Sequence, residues 1–407
     1  MVDLVNKKNQ LLVNQMSDTI YLDNQATTQI DPEVIDAMMP YFYNKFGNAS
    51  SIHHSYGIES KKAVERSRQV LADSIKAKSR EIIFTSGATE AINLAIKGVA
   101  GTFKKKHHMI TQATEHSAVL DTFRSVEKKG WDISILPVNQ SGLVDPQDIA
   151  NAITDETILV SIMHANNEIG TIQPVKQIGK ICKKNNILFF VDASQSFGKL
   201  EIDVKEMKID LLASTAHKLY GPKGIGLLYI SQKDPKVALE IQMDGGGHEK
   251  GYRSGTLPVP MIVGFAKAME ICENKRKFEY HNLEKLRNFL FNGIQIEHPD
   301  VILNGSFDSR LSNNLNLCFP KLEAETIIMK MKEIACSTGS ACSSAFLEPS
   351  HVIKALGHAN EIANSSIRFS LGRFNTQSEI EKATLIINNV ITNLKLNQRK
   401  RKRPNSF

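Results

Sequence analysis

The chain has 407 residues, of which 42% are hydrophobic and 23% are charged, as is usual for a globular protein. This length is enough to bury one large core and a smaller second one. The longest unbroken apolar runs, such as residues 187–191, are far too short to cross a bilayer, and we expect no signal or transit peptide. The composition excludes a membrane-spanning chain and predicts a cytoplasmic protein.

The formal net charge of +7 is concentrated at one end of the chain. Five of the positive charges lie in the run Arg399–Arg403, and the rest of the chain is close to neutral. A terminal basic run of this kind is usually solvated and disordered, although it can also contact a nucleic acid or a protein partner. Because the rest of the chain is close to neutral, we expect no nucleic-acid binding.

Between about residues 60 and 230, short apolar runs alternate with helical patterns. Helices are predicted over residues 60–76 and 175–184, and strands over residues 82–85, 158–163, 187–191, 211–214 and 225–230. Most of these strands are apolar throughout, as is typical of strands buried on both faces. The pattern predicts a mainly parallel sheet covered by helices.

The pattern changes after a long helix predicted over residues 261–278. Strand-like segments become sparser beyond it, and the last periodic element covers about residues 378–394. We therefore expect an α/β protein with a large domain built on a mainly parallel sheet and a smaller α+β domain. The expected parts are an N-terminal segment that packs with the small domain (1–27), the large domain (28–275), the small domain (276–394) and a disordered basic tail (395–407).

Three motifs fall at the carboxyl ends of predicted strands, where open α/β sheets bind ligands. In the first motif, the strand that ends at Thr85 passes through Ser86-Gly87 into a helix that begins near Ala88. Backbone N–H groups at this helix start, with the hydroxyls of Ser86 and Thr89, suit a phosphate. A serine or threonine in this position is more often only an N-cap, so the motif alone is weak evidence.

The second and third motifs bring an acid and a lysine to the same edge of the sheet. Asp192 ends an apolar strand, where it either caps the next helix or partners a protonated ring nitrogen. Lys218 follows the next predicted strand and precedes a glycine-rich turn, and a lysine in this position can form a Schiff base with an aldehyde cofactor. A lone lysine is nearly always a surface charge, but this combination is far more specific.

Cysteine usage indicates one candidate nucleophile. The five cysteines are an odd number spread over a long chain, which does not indicate a disulfide framework and fits a reducing compartment. Cys342 lies in a stretch of small residues, so we expect an exposed and reactive thiolate. A metal pair with Cys336 is the alternative, but no histidine lies at a typical zinc spacing. Cys336 follows the strand-like Ile334-Ala335 and is predicted to be interior.

These motifs closely resemble the cysteine desulfurases of the IscS/NifS type, group I, within the fold-type I pyridoxal-phosphate (PLP) enzymes of the class V aminotransferase family. The resemblance runs from about Tyr21 to Phe374. The matching stretches are residues 22–28, 85–90, 114–116, 164–170, 192–195, 217–218, 245–249, 253–256, 339–342 and 366–370. The resemblance implies a PLP enzyme that converts L-cysteine to L-alanine and transfers the sulfur to one of its own cysteines.

The resemblance also implies a role for each site residue. Lys218 would hold PLP covalently and move the substrate's α-proton, Asp192 would keep the pyridine nitrogen protonated, and Gln195 would hydrogen-bond the ring hydroxyl. His116 would stack on the ring and relay protons. The phosphate would be bound by Ala88, Thr89, Thr215, His217 and the Thr256 of a neighbouring subunit. The substrate carboxylate would be bound by Asn167, which also contacts the cofactor, and by a bidentate fork from Arg368.

The resemblance further implies the nucleophile and the partners. Cys342 would attack the sulfur of the substrate and carry it as a persulfide. The implied partners are L-cysteine, a second copy of the chain in a homodimer, and an iron–sulfur scaffold protein or another sulfur acceptor such as a tRNA-thiolation relay. The resemblance implies no stable metal site. Cys342 would be at most a transient ligand of a cluster.

Three features depart from the family's pattern, and two rival interpretations stay open. Ala216 stands where many relatives have glycine, Phe346 stands where a small residue is common, and the basic end differs from the longer tail that docks the scaffold protein. One rival is a related fold-type I enzyme, such as a selenocysteine lyase or an aminotransferase; Cys342 argues against the aminotransferase. The other is a non-catalytic RNA-associated or sulfur-complex protein, which has no need of Lys218, Asp192 and Cys342 together.

Overall fold

A computed structural model describes residues 19–103, 107–232, 237–338 and 349–401. Within these ranges the strands are β1 Ile20–Tyr21, β2 Ile82–Thr85, β3 His108–Gln112, β4 Asp132–Leu136, β5 Thr157–Ser161, β6 Leu188–Asp192, β7 Leu211–Thr215, β8 Gly226–Ile230, β9 Ile302–Leu303, β10 Asn314–Cys318, β11 Ile334–Ala335 and β12 Ser366–Ser370. The α-helices are α1 Pro32–Met38, α2 Pro40–Tyr43, α3 Ser55–Asp73, α4 Ala88–Thr102, α5 Ser117–Glu127, α6 Pro146–Ala152, α7 Val175–Lys184, α8 Val259–Glu297, α9 Ala324–Lys330, α10 His351–Ala355, α11 Asn360–Asn364 and α12 Gln377–Arg401.

The central sheet has the strand order β2-β8-β7-β6-β5-β3-β4 in the described part of the chain. Strand β8 is antiparallel to both of its neighbours, β2 and β7, and the other pairs are parallel. The remaining six strands therefore run in one direction, and their carboxyl ends meet along one edge. The mainly parallel sheet predicted from the sequence is confirmed.

Helices cover both faces of this sheet because neighbouring strand residues point to opposite sides. On β6, Phe189 packs into the core that also holds Leu71 of α3 and Ile178 of α7. The next residue, Phe190, packs into the core that holds Leu94 of α4. Both phenylalanines are fully buried, so β6 is apolar on each face.

One long helix connects the two parts of the molecule. The first third of α8 contributes Phe265 and Met269 to a core of the central sheet. Further along the same helix, Leu283, Leu286 and Leu290 pack into a separate core with β10, β12 and α12. The domain boundary that we predict after residue 275 falls inside this continuous helix.

The second core lies under a small antiparallel sheet of order β12-β10-β9. Ile20 and Leu22, from the start of the described chain, belong to this core, and β1 pairs in parallel with β11. The last helix continues to Arg401, past the predicted end of the small domain at residue 394. Its extension is held by a Lys395–Asp300 ion pair at 2.6 Å, so part of the segment expected to be disordered is helical.

The four cysteines in the described ranges are free thiols, namely Cys182, Cys272, Cys318 and Cys336. Across those same ranges, no helix is long and apolar enough to cross a membrane.

Candidate active site

A cavity of about 450 Å³ opens at the carboxyl edge of the central sheet. The ends of β2, β6 and β7 reach it directly, as expected for a sheet whose strands run in one direction. Nine of the ten residues predicted to bind a cofactor lie in its wall: Ala88, Thr89, His116, Asn167, Asp192, Gln195, Thr215, His217 and Lys218. Residues from six separate stretches of sequence are thus brought to one site.

Lys218 ends a short 3₁₀ turn that begins directly after β7. Its Nζ atom donates hydrogen bonds to the backbone oxygen of Gln25 at 2.5 Å and to that of Ala26 at 2.7 Å. Both acceptors belong to the segment between β1 and α1. The amine therefore has a defined position in the cavity, and the segment between β1 and α1 holds it there.

Asp192 is the last residue of β6 and is 5% exposed. Its Oδ1 atom accepts hydrogen bonds from the backbone N–H of Ser194 at 2.9 Å and from the Ser194 hydroxyl at 2.6 Å. These bonds stabilise a carboxylate that would otherwise be costly to bury. The same bonds fix the orientation of the carboxylate, which lines the cavity and suits a protonated ring nitrogen.

Gln195 presents a hydrogen-bond acceptor that has no partner in the described part of the chain. Its Nε2 atom donates to the backbone oxygen of Gln25 at 3.0 Å, which fixes the orientation of the amide. Its Oε1 atom is buried and unpaired. Leaving a buried acceptor unpaired costs about 1–3 kcal/mol. The amide therefore fits a ligand that carries a hydroxyl donor, as the ring of PLP does.

The turn between β2 and α4 suits a phosphate. Gly87 precedes α4 and gives it no side-chain cap, so the first N–H groups of this helix, at Ala88 and Thr89, lie at the cavity wall without a capping side chain from the described residues. A Cβ atom on Gly226 of β8 would lie 2.6 Å from the backbone carbon of Gly87. Only glycine at position 226 therefore lets the turn pack this closely against the sheet.

Burial lowers the pKa of the histidines in and near the site. His116 caps α5, and its Nδ1 atom accepts from the backbone N–H of Ala118 at 3.1 Å, so the ring proton is on Nε2. Burial lowers the pKa of His116 despite the opposing charge of Asp192. Burial, reinforced by the charge of Lys218, lowers the pKa of His217 to about 4. Burial alone lowers the pKa of His164 to about 4.

Arg368 lies beside this cavity but is not part of its wall. From β12, its Nη1 atom donates to the backbone oxygen of Asn167 at 2.7 Å. Its Nη2 atom donates to the Asp23 carboxylate and to the Ser337 hydroxyl, each at 2.8 Å. Asn167, by contrast, lines the cavity, and its buried Oδ1 atom has no partner among the described residues.

Two further residues singled out from the sequence, Thr256 and Cys336, lie outside this cavity wall. Thr256 is exposed and is not in the cavity wall of this single chain. Cys342 and Phe346 lie outside the described residues. Cys336, predicted to be interior, is half-buried against the second core, and burial raises the pKa of its thiol to about 12. Such a thiol is a poor nucleophile near neutral pH.

The structure also adds residues that the sequence reasoning did not assign. Gln25 and Ala26 hold Lys218, and the Thr27 hydroxyl lies 3.1 Å from Nδ1 of His217. The stretch 22–28 was noted only for its resemblance to a family motif. Nothing in its composition places it near the strand ends, because its position depends on packing across the whole chain.

Comparisons with known proteins show the family to which the chain belongs. Residues 20–383 match the family model of aminotransferase class-V. The cysteine desulfurase IscS of Rickettsia typhi is 49% identical over 95% of this chain and 94% of its own length. A mitosomal cysteine desulfurase of Trachipleistophora hominis is 50% identical over 89% of this chain and 84% of its own.

Two solved structures extend the comparison. A NifS-like protein has a TM-score of 0.86 at 36% identity, with 92% of this chain and 99% of that one covered. A structure described as SspA in complex with cysteine has a TM-score of 0.75 at 34% identity, with 88% and 100% covered.

The fold is that of the fold-type I enzymes, and the chain belongs to the aminotransferase class-V family and, within it, to the cysteine desulfurases. The predicted family, fold class and enzyme class are thereby confirmed.

Proposed function

We propose that the protein binds PLP in the cavity at the sheet edge and removes the sulfur of L-cysteine, releasing L-alanine. The observation that carries this proposal is the convergence of Lys218, Asp192 and the unpaired Oε1 atom of Gln195 beside the free start of α4. When bound, PLP supplies an electron sink for charge that develops at the substrate's α-carbon. The solved structure of SspA with cysteine supports this class of substrate.

The cavity residues divide into those that bind the cofactor and those that move protons. Asp192 would keep a proton on the ring nitrogen, and Gln195 would hydrogen-bond the ring hydroxyl. Lys218 would hold the cofactor covalently and would afterwards carry the α-proton of the substrate. His116, whose Nδ1 atom accepts a backbone hydrogen bond, would stack on the ring and relay protons. The phosphate is held by the N–H groups at the start of α4 together with Thr89, Thr215, His217 and the partner subunit's Thr256.

We assign the sulfur-transfer step to Cys342. Its thiolate attacks the sulfur of the bound substrate, so that an S–S bond forms and the C–S bond breaks. The electron pair of the C–S bond goes to the substrate carbon, which takes up a proton and leaves as alanine. Cys342 keeps the sulfur as a persulfide and passes it to an iron–sulfur scaffold protein or another acceptor. The support is the resemblance of residues 339–342 to the reactive loop of the family.

We also propose that the protein is a cytoplasmic homodimer. Residues of α1, α2 and the segment around α3 leave an unusually apolar surface exposed. Its members are 42–65% exposed: Ile35, Met39, Phe42, Tyr43, Phe46, Ile52, Tyr56 and Ile58. Monomeric proteins rarely expose contiguous apolar surface on this scale, because water disfavours it. A second copy of the chain would cover this surface and bring Thr256 to the neighbouring cavity.

The proposal is tested by incubating purified protein with PLP, L-cysteine and a reductant and measuring sulfide and alanine together. We expect a visible absorption band from bound cofactor and equal amounts of the two products. Protein that shows the band but releases no alanine would be a PLP enzyme of another specificity. Protein without the band would contradict the cofactor assignment itself.

Replacement of the two candidate cysteines identifies the sulfur carrier. Cys342→Ser is expected to keep the cofactor band but to retain no sulfur after incubation with sulfur-35 cysteine, because a hydroxyl cannot hold a persulfide. Cys336→Ser is the matched control and is expected to retain one reductant-labile sulfur per chain, since its half-buried thiol is a poor nucleophile. The reverse pattern of labelling would assign the reaction to Cys336.

A further inference from the structure

The guanidinium of Arg368 is engaged by the protein's own groups. The Arg368 side chain is 4% exposed, and the Asp23 carboxylate that pairs with it is 18% exposed. The Ser337 hydroxyl accepts from Nη2 of Arg368 and donates to Oδ1 of Asp23 at 3.1 Å, which closes a ring of hydrogen bonds. The Nε atom of Arg368 is buried and has no partner among the described residues.

This arrangement is incompatible with a bidentate contact to a substrate carboxylate. A guanidinium binds a carboxylate as a fork through Nε and Nη2 or through Nη1 and Nη2, and both forks need a hydrogen of Nη2. Here one Nη2 hydrogen is donated to Asp23 and the other to Ser337. The fork expected from the sequence therefore requires that Arg368 first release one of these partners.

The position of Arg368 leads to the same conclusion. Asn167 lines the cavity, whereas Arg368, which is bonded to the Asn167 carbonyl, does not. A ligand that enters the cavity thus meets Asn167 before it meets the guanidinium. Asp23 contacts Arg368 from the segment between β1 and α1, which also supplies the two carbonyls that hold Lys218.

We infer that Asp23 is a positioning residue that takes the place of the substrate's carboxylate in the free enzyme. An amino-acid substrate then binds by exchanging its own carboxylate for that of Asp23 on Arg368. The inference rests on the proposed function, since it requires an amino acid as substrate. The exchange keeps the buried guanidinium paired in both states, whereas leaving this buried charge unpaired would be strongly unfavourable. Asp23, which is partly exposed, is hydrated when it is released.

The exchange also provides specificity. A ligand that lacks a carboxylate has nothing to offer Arg368 and cannot displace Asp23. An amino acid replaces one carboxylate by another at little net cost, since a ligand shifts an equilibrium only by its difference in affinity for the two states. Asp23 thus competes only with ligands that carry a carboxylate, whereas an amine without one leaves the Asp23–Arg368 pair in place and gains nothing from Arg368.

The test is equilibrium binding of L-alanine to the PLP-loaded protein, followed by the change in cofactor absorbance, because alanine carries the carboxylate but no sulfur. Asp23→Asn is expected to lower the Kd for L-alanine by at least about fivefold, because the substrate carboxylate then no longer competes with the Asp23 carboxylate for Arg368. Ser337→Ala, which frees one Nη2 hydrogen but keeps the ion pair, is expected to lower the Kd by a smaller factor.

The matched control is Asp31→Asn. Asp31 forms a buried ion pair with Arg373 at 2.7 Å in the same part of the molecule but makes no bond to Arg368. The Kd of the Asp31→Asn variant for L-alanine is expected to stay within about twofold of that of the unmodified protein. A higher Kd in Asp23→Asn, or no decrease in Ser337→Ala, would show that Asp23 only orients Arg368 and would overturn the inference. If the unmodified protein bound no L-alanine and released no sulfide from L-cysteine, the proposed function itself would fail.

Discussion

Lys218 is the residue on which the proposed chemistry most depends. Lys218→Ala is expected to abolish the visible cofactor band and all alanine release, because its amine is the group held in the cavity by Gln25 and Ala26. Lys223→Ala is the control, since Lys223 lines the same cavity. We expect that variant to keep the band, which absorbance spectra and an alanine assay will show. Comparable turnover in Lys218→Ala would refute the assignment.

The buried His164 predicts how stability depends on pH. Because burial lowers its pKa to about 4, the unfolded chain takes up a proton at this residue below about pH 6.5, whereas the folded chain does not. The free energy of unfolding therefore falls as pH falls through that window. For this one residue the loss amounts to roughly 2 kcal/mol between about pH 7 and about pH 5.

Urea denaturation at the two pH values measures this contribution. His164→Gln is expected to show a smaller loss of stability on acidification than the unmodified protein. His281→Asn, at an exposed position on α8, is the control and should lose as much as the unmodified protein. An equal pH dependence in all three proteins would mean that His164 does not stay neutral in the fold.

At the scale of elements, the contact between β8 and the turn before α4 determines the phosphate site. Gly226→Ala would place a Cβ atom 2.6 Å from the Gly87 backbone carbon and 2.6 Å from the Ser214 oxygen, so the turn must move. We expect the affinity for PLP to fall about tenfold, because the helix start no longer meets the phosphate. Titration of the unloaded protein with PLP gives the affinity.

A second variant separates this effect from a general loss of stability. Leu228→Ala lies on the same strand but in the core that packs against α4 and α5. It is expected to lower the free energy of unfolding by about 2–5 kcal/mol and to leave the PLP affinity nearly unchanged. If both variants weakened PLP binding alike, the close approach of Gly226 to Gly87 would not be the cause.

At the scale of the whole molecule, the exposed apolar surface predicts the oligomeric state. Phe46, 65% exposed, lies on this surface, and Phe46→Glu would bring an uncompensated charge into the proposed interface. We expect the unmodified protein to be a dimer and the variant to be largely monomeric and inactive. Met329→Glu, at a 74% exposed position on α9, is the control and should remain dimeric. Light scattering measures the oligomeric state of the three proteins. An active monomer of the unmodified protein would contradict the proposed homodimer.

Much of the central sheet could be predicted from the sequence. The strand Ile82–Thr85 and the helix Val175–Lys184 have the bounds that the apolar pattern indicates. The predicted end at residue 278 is wrong for α8, which continues to Glu297. The charged residues 273–277 are mostly exposed and lie between the part of α8 that packs into the large core and the part that packs into the second core, so they do not end the helix. Helix α12 also continues past its predicted end at residue 394, to Arg401.

The sequence alone predicts the groups that meet at the cavity: an acid and a lysine at strand ends and a phosphate turn. These signals are local, because strand periodicity and the residues at strand ends are recognised within a few positions. The contacts of Lys218 with Gln25 and Ala26, and the pairing of Arg368 with Asp23, could not be predicted in this way. Those contacts join residues hundreds of positions apart, and the packing of the two cores against each other, not any local pattern, brings them together.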